Sequence, residues 1–379
     1  MRPSFLMVAA LMAVLVLPTG AEAKRRVPYA FFGMTWDSTA RHAPRRARAT
    51  EWSKMARSGV ESVRASFSWN AAQPYPSETT NLGPTDDVVY QAARHGIRVL
   101  PVVENAPQWA SRYPDRPASP PADDNDYANF LTDLIYRYGP GGSFWDAHPR
   151  LPYRPIHEWQ IWNEPDLIRA WDVPKNSGEP WPIGYTRLLK AGYRAVKAAD
   201  PDGVVVMAGV TNDSWNKMKL LYRAGARPWF NVAAFQLYTR SGRNTGLAAK
   251  KVRVVMRRYG DRRKPLWATE VGCPAARGRR GGRGNPLATT DRGMARCLSG
   301  IYRGLARKRR RLRLGRVYWY TWGTNYRGPS LFDYSGLRAW SRRRRAFVSK
   351  PALRQYVLAA QRYEGCSKTA TGHCRRRRH

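Results

Sequence analysis

The chain of 379 residues carries 66 lysines and arginines against 27 aspartates and glutamates, a formal net charge of +39. With 43% hydrophobic residues it is too apolar for a disordered polyelectrolyte, and its length suits one large domain with its own core. Such a charge points to polyanions or an anionic cell surface as adhesion partners, yet only 13 of the basic residues are lysine, and a GC-rich coding bias also produces an arginine excess.

Met1-Arg2-Pro3-Ser4 begins with positive charge, and an apolar run from Phe5 to Pro18 leads to Ala21-Glu22-Ala23, the pattern of a secretory signal cut after Ala23. The run falls short of the roughly 20 apolar residues of a membrane span. No later stretch is longer, so the mature chain is expected to be secreted or held at the cell surface, without a transmembrane span; an uncleaved anchor is the alternative.

From Val27 onward short β-branched or apolar runs alternate with longer amphipathic ones, which argues for a parallel sheet. The strands are expected at Ala30 to Thr35, Ser62 to Ser66, Arg98 to Val103, Glu158 to Trp162, Val204 to Ala208, Val232 to Leu237, Leu266 to Thr269 and Val317 to Tyr320. Eight of them suggest an α/β fold closed into a (β/α)8 TIM barrel, a single domain over residues 24–360 with a basic, cysteine-containing tail over 361–379. Helices are expected over Tyr127 to Tyr138, after the acidic Asp123, Asp124 and Asp126, and over Tyr185 to Ala199, stopped by Asp200-Pro201-Asp202-Gly203. Insertions at Arg112 to Ala122, Asp172 to Ile183 and Ala275 to Gly284 each follow a strand and should shape the cleft rim. The arginine runs at Lys308 to Arg313, Arg342 to Arg345 and Arg375 to Arg378 read as solvated helix faces or frayed ends. Four cysteines, Cys273, Cys297, Cys366 and Cys374, can pair in three ways, of which local pairing, 273 with 297 and 366 with 374, is expected. Neither their spacing nor the scattered histidines suit zinc, so no metal or other cofactor is expected.

Two segments carry chemistry. Glu158-Trp159-Gln160-Ile161-Trp162-Asn163-Glu164-Pro165 is an apolar strand that ends on an amide, a carboxylate and a proline. Pro265-Leu266-Trp267-Ala268-Thr269-Glu270-Val271-Gly272 brings a second glutamate to the end of the seventh strand. Strands four and seven of an eight-membered ring face each other across its mouth. Glycoside cleavage needs such a pair, one group to protonate the departing oxygen and one to meet the anomeric carbon.

The Trp-Asn-Glu-Pro and Thr-Glu-Val-Gly endings resemble the acid/base and nucleophile motifs of glycoside hydrolase clan A, which includes cellulases, β-xylosidases and iduronidases. The resemblance runs from about Phe31 to Leu353. It implies a retaining glycosidase acting on an oligo- or polysaccharide, with Glu164 as acid/base, Glu270 as nucleophile and Asn163 on the sugar 2-hydroxyl. Val63-Arg64 with Phe67-Ser68-Trp69 is similar to the second-strand segment of these enzymes, which implies that Arg64 lies against the nucleophile and that Trp69 borders the substrate. Pro107-Gln108-Trp109-Ala110 resembles the third-strand segment, with Trp109 walling the cleft, and Trp319 resembles the eighth-strand end, either as platform or as core. Gln236-Leu237-Tyr238 departs from the pattern, having glutamine where many relatives carry histidine, and Asn231 replaces an aspartate. Tyr238 keeps the hydroxyl that is expected to reach Glu270. The alternative is a barrel that binds carbohydrate or polyanions at the cell surface without cleaving them; no specific nucleic acid partner is expected.

Overall fold

The computed structural model describes residues 24–76, 80–175 and 178–375, so the expected signal over Met1 to Ala23 and the last arginines, Arg376 to Arg378, lie outside the described residues. Eight parallel strands form one sheet: β1 Phe32–Trp36, β2 Ser62–Ser68, β3 Arg98–Glu104, β4 Glu158–Ile161, β5 Val204–Met207, β6 Ala233–Tyr238, β7 Leu266–Gly272 and β8 Leu314–Trp319. Their order is β5-β4-β3-β2-β1-β8-β7-β6, and parallel bridges from Val206 to Val232 and from Val210 to Phe235 join the two ends into a ring. One long helix follows each strand: α1 Arg45–Arg57, α2 Gly83–Arg94, α3 Asp124–Tyr138, α4 Trp181–Ala199, α5 Ser214–Arg223, α6 Gly242–Arg258, α7 Asp291–Leu312 and α8 Pro351–Glu364. This is the expected (β/α)8 barrel, with strand ends shifted by a few residues. None of the helices among the described residues is long and apolar enough to cross a membrane.

The local signals act as the residue types require. Asp123 caps α3 by accepting a hydrogen bond from Asn125 N at 2.8 Å. Helix α4 starts at Trp181, inside the insertion read as loop to Ile183, because Pro182 falls in the first turn, where a missing N–H costs no hydrogen bond. Helix α8 stops where Gly365 turns left-handed at φ 87°.

Alternation along the strands sends Val63, Ala65 and Phe67 of β2, and Trp159 and Ile161 of β4, outward into the helix layer, all buried. Gly192 of α4 lets that helix close on Ile161, since a Cβ there would come within 3.0 Å of Ile161 Cδ1. The inner faces are more polar. Arg316 of β8 pairs with Glu158 of β4 and lies over the Trp267 ring, while Ser62 Oγ meets Tyr318 OH at 2.7 Å. Gly33 of β1 allows the Tyr318 ring to cross the barrel, because a Cβ would sit 2.5 Å from it.

Three features lie outside the expected pattern. A small sheet follows β8, in which β9 Gly323–Thr324 runs parallel to β10 Arg338–Ser341 and β10 runs antiparallel to β11 Ala346–Ser349. The arginines from Arg342 to Arg345 form the exposed turn of this hairpin, not a helix face. Third, helix α8 runs on through residue 361 to Glu364, and Lys368 beyond it is buried against Glu61 at 3.0 Å, so the final residues close the floor of the barrel. Disulfides join Cys273 to Cys297 and Cys366 to Cys374, the local connectivity of the three.

Candidate active site

The carboxyl ends of the strands supply the mouth. At the end of β4 the backbone turns left-handed twice, at Trp162 (φ 63°) and at Glu164 (φ 45°), a conformation that non-glycine residues adopt at an energetic cost and that collects at functional sites. The distortion is held by Trp162 N to Val103 O at 3.0 Å, Trp162 Nε1 to Ala170 O at 2.7 Å and Glu164 N to Gly209 O at 3.2 Å. Glu164 and Glu270 are each 5% exposed.

Beneath them Arg64 of β2 spends its guanidinium on three partners: Nη1 donates to Glu270 Oε1 at 2.7 Å, Nη2 to Asn163 Oδ1 at 2.7 Å, and Nε to Gln160 Oε1 at 2.9 Å. Gln236 of β6 also donates to Asn163 Oδ1, at 2.8 Å. Two donors on one oxygen fix the orientation of the Asn163 amide and leave its NH2 group without a protein partner among the described residues. Tyr238 donates its phenolic hydrogen to Glu270 Oε2. The nucleophile candidate thus receives one charged and one neutral donor, whereas among the described residues the Glu164 carboxyl meets only Arg169, at 2.5 Å.

Burial pushes Glu164 up to about 8, the nearby charge of Glu270 adds to the rise, and Arg169 opposes both. The Tyr238 hydroxyl, raised chiefly by burial, is also raised by the charges of Glu270 and of Glu164. Both glutamates therefore act on one small region of the mouth. A third carboxyl, Glu104 at the end of β3, bonds Ser66 and is raised by burial, with Arg64 opposing and Asp37 and Glu270 adding to the rise.

The tryptophans divide differently from expectation. Trp109 is 37% exposed at the rim, with Nε1 donating to Gln73 O at 3.1 Å. Trp69, placed at the substrate by resemblance, is buried behind it, edge-on to Trp109 at 5.5 Å and stacked on Phe130 at 5.7 Å, so it supports the rim from within the core. Trp319 is also removed from the cleft. It is fully buried on the outer face of β8 and donates to Ser335 O at 3.3 Å. Alternation along β8 turns Arg316 and Tyr318 inward, and the next inward residue is Tyr320, whose hydroxyl donates to Asp37 at 2.8 Å and whose ring lies 5.8 Å from Tyr238 and 5.9 Å from Phe332. Asn231 is structural, its Oδ1 accepting from Val205 N at 2.9 Å.

Asp37, Glu104, Arg169, Tyr320 and Phe332 escaped the sequence reading. Glu104 could have been found, since it ends an apolar run in the same manner as Glu270. The other four sit in segments whose inward phase no periodicity reports.

The three insertions stand at this mouth. Arg116 pairs with Asp172 at 2.6 Å and Asp172 N donates to Ala118 O at 2.7 Å, which ties the loop after β3 to the loop after β4. Gly281, after β7, packs on the backbone of Ser330 after β8, where a Cβ would meet its oxygen at 2.3 Å.

Solved structures that align with this chain include barrels of glycoside hydrolases. The chain has their fold. A family 39 glycoside hydrolase from the gut symbiont Bacteroides cellulosilyticus aligns with TM-score 0.63 at 17% identity, covering 90% of this chain and 66% of that one. A monomeric β-xylosidase from Caulobacter crescentus aligns with TM-score 0.65 at 13% identity, over 89% of this chain and 69% of that one. A family 5 glycoside hydrolase variant from Streptomyces cattleya, solved in complex with Manβ1-4GlcNAc, aligns with TM-score 0.58 at 16% identity, over 83% and 75%. This chain thus spans about two thirds to three quarters of the length of these structures. No protein-family model matches the sequence, and no curated protein matches it.

Proposed function

We propose that the chain is a retaining glycoside hydrolase that cleaves β-linked sugars by double displacement, with Glu164 as acid/base and Glu270 as nucleophile. The observation that carries the reading is the unequal treatment of two buried glutamates at one barrel mouth. Glu164 holds its proton up to about 8, as a general acid at neutral pH must, while both oxygens of Glu270 are held in place by hydrogen bonds from Arg64 and Tyr238. The family 39 and family 5 names of the structural neighbours point the same way.

In the first step Glu270 attacks the anomeric carbon as Glu164 gives its proton to the departing oxygen, leaving a glycosyl ester. In the second, the Glu164 carboxylate takes a proton from water, the hydroxide oxygen bonds the anomeric carbon, and Glu270 leaves as carboxylate. Esterification removes the charge of Glu270, the second cause of the raised proton affinity of Glu164, and so converts the acid into a base. The free NH2 of Asn163 suits a sugar hydroxyl, and Asp37 and Glu104 offer acceptors around the same ring. Trp109, Tyr320 and Phe332 supply the apolar faces on which sugar C–H groups stack.

A screen of aryl glycosides and polysaccharides, with product anomers followed by NMR, tests the reading. The expected product keeps the configuration of the substrate. An inverted product would remove Glu270 from the nucleophile role, and no cleavage of any substrate would leave the barrel a carbohydrate-binding protein. Export after cleavage near Ala23 belongs to the same proposal, since a polysaccharide substrate lies outside the cell.

A further inference from the structure

Arg169 poses a problem for the proposed mechanism. A general acid must carry a proton before bond cleavage, yet an arginine on its carboxyl favours the ionised form. The contact is not a structural necessity of the loop. The Arg169 side chain is 59% exposed, and Glu164 is its one polar partner among the described residues. The preceding residue, Ile168, is 61% exposed, and Asp166 is already committed to Lys217 and to Thr211 Oγ1 at 2.6 Å. Among the described residues no second carboxylate therefore competes for this guanidinium.

The position also has a side. Arg64, Asn163 and Gln236 hold the region around Glu270, which meets the anomeric carbon of the sugar retained in the first step, and Glu104 responds to the charges there. Arg169 belongs to none of these contacts and reaches Glu164 from solvent. Glu164 delivers its proton to the oxygen of the leaving group, so a group on its solvent side stands beside that leaving group. The acceptors Asp37 and Glu104 would repel an anionic sugar on the retained side, whereas the guanidinium attracts an anion on the departing side.

We propose, resting on the glycosidase reading above, that Arg169 sets specificity: it selects substrates whose leaving group bears a carboxylate or sulfate near the scissile oxygen, and on binding that anion it releases Glu164. The planar fork of arginine suits either anion through paired N–H bonds. Once released, Glu164 keeps its proton to higher pH, so binding of such a substrate near pH 8, where the contact with Arg169 leaves the carboxyl partly ionised, is accompanied by proton uptake. Its remaining charged neighbours, Glu270 on β7 and Asp166 on its own loop, both favour that uptake, as does burial.

The test uses the whole protein and three aryl glycosides of one cleaved sugar, with leaving phenols of matched acidity that bear a carboxylate, a sulfate ester or a neutral amide. Wild type is expected to favour the anionic pair in kcat/KM by about tenfold or more at neutral pH, the scale of one charge-assisted contact, and the two anionic arms show which anion fits. Arg169→Gln should bring the preference close to unity and move the alkaline limb of kcat/KM on the neutral glycoside to higher pH; Arg169→Lys should restore part of both. Equal rates on all three by wild type, or an undiminished preference in Arg169→Gln, would overturn the role of Arg169 and leave the glycosidase reading intact. Failure of wild type to cleave any of them would sink both together.

Discussion

At the scale of single residues, the mouth treats two chemically identical side chains differently, and the difference can be measured. If Glu164 is the acid, kcat/KM should hold at neutral pH and fall as the pH passes about 8, where its carboxyl gives up the proton. Glu164→Gln should remove that limb and slow cleavage of unactivated glycosides far more than of aryl glycosides with good leaving groups. Stability has its own sign. The folded carboxyl binds its proton more tightly than a free glutamate, whose ordinary value is 4.5, so between about 4.5 and 8 the native state holds a proton that the unfolded chain has lost, and stability falls as pH rises through that window. Glu164→Gln should therefore melt later than wild type at pH 8, by roughly 1–3 kcal/mol, and gain less at pH 5; an equal shift at both would contradict it. For the nucleophile, Glu270→Ala should abolish turnover of an activated aryl glycoside, and added azide should return a glycosyl azide of inverted configuration. Full activity in that variant would remove Glu270 from the reaction. Both glutamates were legible because each ends an apolar run at a residue that halts or frees the backbone, Pro165 or Gly272. The aromatic partners were not. In Tyr318-Trp319-Tyr320-Thr321-Trp322 both faces of the strand are aromatic, so alternation has no phase in the sequence, and only the ring of neighbours shows that Tyr318 and Tyr320 turn inward and Trp319 outward.

At the scale of elements, β7, which carries Glu270, is tied down directly behind its end at the mouth. Cys273 follows β7 by one residue and is bonded to Cys297 on α7, enclosing the glycine- and arginine-rich insertion in a loop with a sequence separation of 24. Closing a loop of that length restricts the unfolded chain by about 3 kcal/mol. Cys273→Ser with Cys297→Ser should accordingly lower the midpoint of thermal unfolding by several degrees; an unchanged melt would mean that the loop is already restrained without the bond. The eight strands were readable from the repeated βα pattern, whereas the β9–β11 sheet was not, since a two-residue strand and a hairpin with four arginines at its turn carry no apolar alternation. A further buried group lies at the other end of the barrel. Burial and the charge of Glu61 push Glu364 up to about 8, with Lys368 opposing at 3.6 Å. The sign is again that of a raised acid, so Glu364→Gln should flatten the fall in stability between about pH 4.5 and 8, as thermal melts across that range would show.

At the scale of the whole molecule, part of the positive charge gathers along one helix. Helix α7 exposes Arg292, Arg296, Arg303, Arg307, Lys308, Arg310 and Arg311 along its solvent face, with Arg313 beyond its end. Its outward turns approach the floor, away from the two glutamates. We propose that this face adheres to polyanions, and retention on a sulfated-polysaccharide column should fall steeply between about 50 and 200 mM salt, as counterion exchange requires. Replacing Arg307, Lys308, Arg310 and Arg311 by glutamine should weaken retention while aryl glycoside cleavage persists; unaltered retention would place the contact elsewhere. How this face is used was not legible in the composition, because +39 is a sum and says nothing of where its members lie.

The floor of the barrel has one more consequence. Arg25 and Lys368 converge on the same carboxylate, Glu61, and Arg26 N donates to Tyr363 O at 2.7 Å, so the segments around Arg25 and Lys368 lie side by side beneath the barrel. A handle joined directly before Lys24, or to the segment that follows Lys368, would fasten the molecule to a bead or sensor chip by its base, with the opening turned toward the liquid.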